Sequence, residues 1–182
     1  MSLTSEKHRA ELERFVELLE REAYQVQLVP AAGNVPYDTL LVKLHLFEIQ
    51  NRVWWLELSY LPGLEDDLDA VSILQCFLSL SEHTSEDNRS GLERLIGKVN
   101  AKLPIGGFGL LDNPRVLFFK HNAMLPNDNH DASLQIVHEL VAMIGYLIGV
   151  FSEALIKTAT GEKTAEEALS EMPFRDVIAS SS

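Results

Sequence analysis

The chain has 182 residues, 46% of them hydrophobic and 23% charged, with 27 acidic against 15 basic side chains and a formal net charge of −12. That balance excludes a disordered chain, which carries too little apolar surface to offset the entropy of ordering, and the length suits one domain. The negative charge repels phosphate backbones and anionic lipid, so neither nucleic acid nor a membrane is an expected partner.

Apolar residues at Leu12, Phe15, Val16, Leu19 and Ala23 form one stripe of a helix over 5–23, with charged residues on its other side. Tyr24 to Val29 alternates as a strand and stops at Pro30, and the loop Ala31 to Pro36 is rich in turn formers. The next strand runs from Tyr37 to Phe47, with Leu40, Val42, Leu44 and Leu46 on one face and Leu41, Lys43, His45 and Phe47 on the other. Gln50-Asn51-Arg52 turns the chain back into a third strand, Val53 to Tyr60, which Pro62-Gly63 ends.

Between Ala70 and Ser81 helix and strand compete. Leu74, Cys76, Leu78 and Leu80 alternate with Gln75 and Ser79, and a helix would spread the polar residues round all sides, so the pattern favours a strand. Ser85 is placed as a helix N-cap, with Glu86 and Asp87 suited to the first turn. Leu92, Leu95, Ile96, Val99 and Leu103 form a second helical stripe, closed by Pro104. A hairpin follows, Phe108 to Leu111 and Val116 to Lys120, joined by Asp112-Asn113-Pro114-Arg115.

The loop 127–131 carries cap residues, and a long third helix runs to about Thr160, where Gly161 stops it. Its segment Leu134 to Ile156 is apolar enough to resemble a membrane span. His138, Glu139, Ser152 and Glu153 interrupt it, and ionisable groups at mid-bilayer cost roughly 2.5–3.5 kcal/mol each, so a buried core helix is expected. Thr164 with Glu167 matches a capping box, which predicts a short fourth helix ended by Pro173. The expected fold is therefore α+β in the order α-ββββ-α-ββ-α. An antiparallel sheet of about six strands packs with three main helices in a single domain over 1–182, with its core at about 5–160 and a short helix and loose tail at 161–182.

Catalytic motifs are sought without success. His138-Glu139 opens like a zinc-protease helix, but Ala142 stands where the second histidine belongs. Gly106-Gly107-Phe108-Gly109 follows a helix rather than a strand, and Asp112 replaces the last glycine of a dinucleotide fingerprint, so the glycines read as turn and close-approach positions. Glu65, Asp66, Asp67 and Asp69 lack the central glycine and distal glutamate of a calcium loop. His121, His130 and Asp131 near Asp128 have no second ligand cluster beside them, and no GxSxG nucleophile motif occurs. No catalytic residue, metal or cofactor is expected.

Lone Cys76 cannot close an intrachain disulfide and sits between Leu74 and Leu78 as a packed thiol. With a charged N-terminus poor in apolar residues, it points to a reducing cytoplasm. Adjacent apolar pairs in several strands, including Trp54-Trp55, Phe77-Leu78 and Phe118-Phe119, point to opposite faces, so both faces of the sheet want cover. Trp54, Trp55, Phe77, Phe118 and Phe119 are accordingly the candidate protein-binding surface. The rival expectation is a small-molecule-binding or enzymatic domain whose curved sheet encloses a pocket with His45, Glu57 or His121.

The run Val99-Asn100-Ala101-Lys102-Leu103-Pro104, then Gly107-Phe108-Gly109, a turn, and Val116-Leu117-Phe118-Phe119 resembles the YbjN-like family, relatives of the type III secretion (Tir) chaperones. The order of elements over about 5–160 is similar too. The resemblance implies a chaperone-like α+β fold, often homodimeric, that binds protein rather than performing chemistry, and members have been described as regulators of sensory transduction. It implies for Asn100 a structural role, hydrogen-bonding the chain as it leaves the helix. The extra strand before the second helix and the additional C-terminal helix depart from that pattern.

Overall fold

The structure, a computed structural model, describes residues 3–33, 35–44, 53–61, 68–81, 84–112 and 116–172. The elements are α1 (Leu3–Arg21), β1 (Gln25–Val29), β2 (Thr39–Leu44), β3 (Trp54–Tyr60), β4 (Val71–Ser81), a 3-10 turn (Glu86–Asn88), α2 (Arg89–Asn100), β5 (Gly107–Leu110), β6 (Leu117–Pro126), α3 (His130–Thr160) and α4 (Ala165–Glu171). The strands form one six-stranded sheet in the order β1-β2-β3-β4-β6-β5, and every pair whose register is defined is antiparallel. The fold is α+β, as the periodicities predict, and within the ambiguous stretch Val71–Ser81 is a strand.

Among the described residues two compact units can be told apart by their internal contacts: 3–44 with 53–77 and 122–144, and 78–121 with 145–172. In the first, Leu40, Val42 and Leu44 of β2 and Trp54, Leu56 and Leu58 of β3 are buried, whereas Leu41, Lys43, Trp55 and Glu57 between them are not. The two-residue period thus turns one face of these strands to a core, which Leu12, Phe15 and Leu19 of α1 enter. The charged side of α1 is narrower than the sequence suggested, because His8 and Glu11 are buried on the same face.

α1 ends in a reverse turn made by an unusual residue. The Tyr24 N–H donates to the Leu19 carbonyl at 2.9 Å and the Ala23 N–H to that of Glu20 at 3.0 Å, the paired bonds of a Schellman cap. Its left-handed position is filled by Ala23, at φ 63°. The side-chain methyl is strained there, where glycine would not be.

In the second unit Leu92, Leu95, Ile96 and Val99 form the buried stripe of α2. Ser85 is not an α-helical N-cap: it precedes the 3-10 turn and makes no side-chain cap bond, while its N–H donates to the Ala159 carbonyl at 3.2 Å. The hairpin strand predicted to stop at Lys120 continues as β6 to Pro126. Of the predicted turns, 50–52, 62–63 and 113–115 lie outside the described residues, as do His45, Phe47 and Pro173.

Where α2 leaves for β5, Asn100 pairs with the backbone of Phe108. Its Nδ2 donates to the Phe108 carbonyl at 2.9 Å, and its Oδ1 accepts from the Phe108 N–H at 2.8 Å. Both backbone groups of a strand residue point to one side, so the amide stands where a further strand would bond. Glycine is required just beyond it at 106, where φ is +62° and a Cβ would lie 2.5 Å from the Phe119 ring, whereas a Cβ on Gly107 would make ordinary contact with the Asn100 amide.

α3 begins at a side-chain cap, with Asn129 Oδ1 accepting from the Ala132 N–H at 3.0 Å, and ends at Gly161, φ +82°. It is long and apolar enough to cross a membrane by length and composition alone. Val137, Ile144, Ile148 and Leu155 are fully buried along one side, and Ile136, Met143 and Tyr146 are exposed on another. α4 carries the predicted capping box: the Thr164 side chain accepts from the Glu167 N–H, and the Glu167 carboxylate accepts from the Thr164 N–H.

Two substitutions check these caps. Ala23→Gly should raise the unfolding free energy by about 1 kcal/mol, the cost of an L-residue in the left-handed region. Asn100→Asp, which keeps the shape but cannot donate to the Phe108 carbonyl, should lower it by roughly 1–3 kcal/mol. Urea titrations compared with the wild type measure both.

Candidate protein-binding surface

The five aromatic residues singled out from the sequence separate by face. Trp54 is 5% exposed and Phe119 fully buried, so these two belong to the core. Trp55 is 39% exposed, and Phe77 and Phe118 are half-buried. Alternation decides this division, because each of the two adjacent pairs sends one ring inward and one outward.

On the outer face of the first unit, the registers align Gln27, Leu41, Glu57 and Phe77 in a row across β1 to β4, and Gln25, Lys43 and Trp55 in the next. Lys43 Nζ donates to Gln25 Oε1 at 2.8 Å. Glu57 therefore lies between Leu41 and Phe77, with Trp55 two residues along the same strand face. Part of its side chain reaches solvent, yet the apolar neighbours remove enough water to raise its carboxyl above the ordinary carboxylate value. Met124, 66% exposed, adds an apolar side chain on β6.

Phe118, in the second unit, is already partly covered. It faces Gly109 across the β5–β6 pair, and a Cβ on Gly109 would collide with its ring. The ring lies over the glycine, which compensates for the missing side chain in a short edge strand. On the inner face Phe108 meets Phe119 edge-on at 5.2 Å and Phe151 at 6.2 Å.

Of the three residues named for the rival pocket, Glu57 and His121 are described, each in its own unit. His45 lies outside the described residues. Glu57 is on the outer face of β3, and His121 shares the inner side of β6 with Phe119 and Ala123, where burial lowers its pKa. A recess of about 120 Å³ lies between Val150 and Ala154 of α3 and Ala168 and Met172 beyond it, well below the roughly 300 Å³ of ordinary ligand pockets. The ion pairs Lys157–Glu153 and Lys163–Glu171 occupy its charged rim. Burial pushes the Cys76 thiol up to about 12, so the cysteine is a packed, unreactive group.

A polar cluster in the first unit escaped the sequence reading. The His8 ring stacks on Tyr60 at 4.1 Å, Glu11 is 6% exposed, and His130 Nδ1 lies 3.5 Å from Glu11 Oε1. Burial first, then the Glu11 carboxylate, raises the Tyr60 hydroxyl well above its ordinary value. No partner meets that hydroxyl in full hydrogen-bonding geometry. The available signal was that residues 8 and 11 share a helical face with 12, 15 and 19. Among the described residues, no group of three or more His, Cys, Asp or Glu side chains is placed to hold a metal ion; Glu65, Asp66 and Asp67 lie outside them. His138 sits 3.8 Å from Glu22.

No protein-family model matches the chain, and no curated protein matches it either.

The raised carboxyl of Glu57 gives a pH test. A carboxyl held above its unfolded pKa favours the protonated folded state, so its contribution is fully present below the unfolded value of about 4.3 and is lost as pH rises through the folded one. Glu57→Gln should therefore be more stable than wild type at neutral pH, with the difference vanishing towards about pH 4. Thermal melts across that range measure it.

Proposed function

We propose that the chain is a non-enzymatic, cytoplasmic protein-binding module, a chaperone-like protein or regulatory adaptor that works as a homodimer and grips its partner through the outer sheet face. The observation that carries this reading is the group Leu41, Trp55 and Phe77 around Glu57: exposed or half-buried apolar side chains that gather about one partly desolvated carboxyl. Large aromatic rings that keep one face in water supply much of the binding energy of protein interfaces. A partner covering this face must also hydrogen-bond or neutralise Glu57, since a carboxylate sealed under apolar cover without a partner is costly.

The resemblance of the helix-to-hairpin junction to the YbjN-like and type III secretion chaperone families favours the same class of function. The net charge of −12 favours a basic partner over an acidic one. Trp55→Ala tests the reading. In pull-downs from the native cell followed by mass spectrometry, it should lose the proteins that the wild type retains, while its melting temperature stays within a few degrees. Retention of every partner by the variant would remove the outer face from the mechanism.

A further inference from the structure

The sheet treats its two edges differently. At β5 the outward N–H and C=O of Phe108 are occupied by the Asn100 amide, and the strand has only four residues. At the other end of the strand order stands β1, whose second side pairs with no strand among the described residues. Its sequence, Gln25-Val26-Gln27-Leu28-Val29, holds no charge, no proline and no glycine, and all five residues pair with β2 without a bulge. Open edges are normally protected by lysine, proline, a bulge or a covering segment, because bare backbone donors and acceptors recruit another extended chain. Gln25 and Gln27 are exposed, and Val26, Leu28 and Val29 only half-buried.

We propose that β1 is where two copies of this chain join, antiparallel about a two-fold axis at Gln27, so that their sheets run on as one. The strand is its own complement in that register. Val26 and Leu28, which pair with the buried Val42 and Leu40 of β2, meet Leu28 and Val26 of the second copy, and the half-buried apolar pairs on the helix side cover one another. On the outer side the two Gln27 amides face each other and can exchange hydrogen bonds, and Gln25 faces Val29. Charge favours the same place. Two molecules of net charge −12 repel at long range, and a five-residue strand without an ionised group lets them approach without opposing like charges. The inference rests on the homodimer part of the reading above and makes no use of Trp55, Phe77 or Glu57.

Light scattering after size exclusion, on the full chain at about 1–300 µM and physiological salt, reads the outcome. The wild type should be a dimer within that range. Gln27→Lys and Gln27→Glu, at an exposed position the fold tolerates, should each raise the midpoint for dissociation roughly tenfold by opposing like charges across the axis. Mixing the two variants in equal amounts should restore the dimer, and native mass spectrometry should show it to contain one of each. A wild type that stays monomeric throughout would overturn this inference and the homodimer together. A dimer unmoved by either substitution, or a mixture that fails to pair, would overturn the edge alone and leave a homodimer joined elsewhere.

Discussion

Everything in this fold answers to the alternation of side chains along a strand. Successive residues point to opposite faces, and the described strands bury one face while leaving the other half-covered. Leu40, Val42, Leu56 and Leu58 are fully buried, and their neighbours Leu41, Trp55 and Glu57 are not. A strand whose two faces are both apolar therefore has a surplus on the uncovered side. That surplus, around Trp55, Leu41 and Phe77, is the physical basis for reading the molecule as one that binds protein. The same alternation keeps Trp54 and Phe119 out of that role, since their rings are spent in the core.

The helix-to-hairpin junction shows how one side chain can finish a sheet. Asn100 supplies one donor and one acceptor at the spacing that a neighbouring strand would offer, and Phe108 takes both. Glycine at 106 and 109 follows from crowding within the hairpin, with the Phe119 ring and the Phe118 ring standing where a Cβ would go. What looks like a phosphate-binding run in the sequence is a set of close approaches. The edge so completed contrasts with β1, where five uncharged residues pair on their second side with no strand among the described residues.

The first unit also carries a buried polar group that an apolar core would not need. Glu11 is held beside His130 and Tyr60, and His8 stacks on the tyrosine ring. These contacts tie α1 to β3 and to the first turn of α3 through side chains that fit in few arrangements, at the expense of burying a carboxyl beside a half-exposed imidazole. Specific orientation of α1, rather than stability, is what such a group can supply.

By itself the sequence determined the order of elements, the strand identity of Val71–Ser81, the capping box of α4 and the glycine stop of α3, because each rests on local periodicity or on the conformational rules of one or two residues. It also offered five aromatic residues in three strands as candidates for a binding surface. Only the tertiary structure decided which ring of each pair faces out, since adjacent residues on a strand are equivalent until something packs on one side. It likewise decided that His8 and Glu11 are buried, that β6 runs on to Pro126, that Asn100 closes one edge of the sheet and that β1, among the described residues, is its other edge strand. Those outcomes depend on pairings between residues far apart in the chain, and no local pattern encodes a partner.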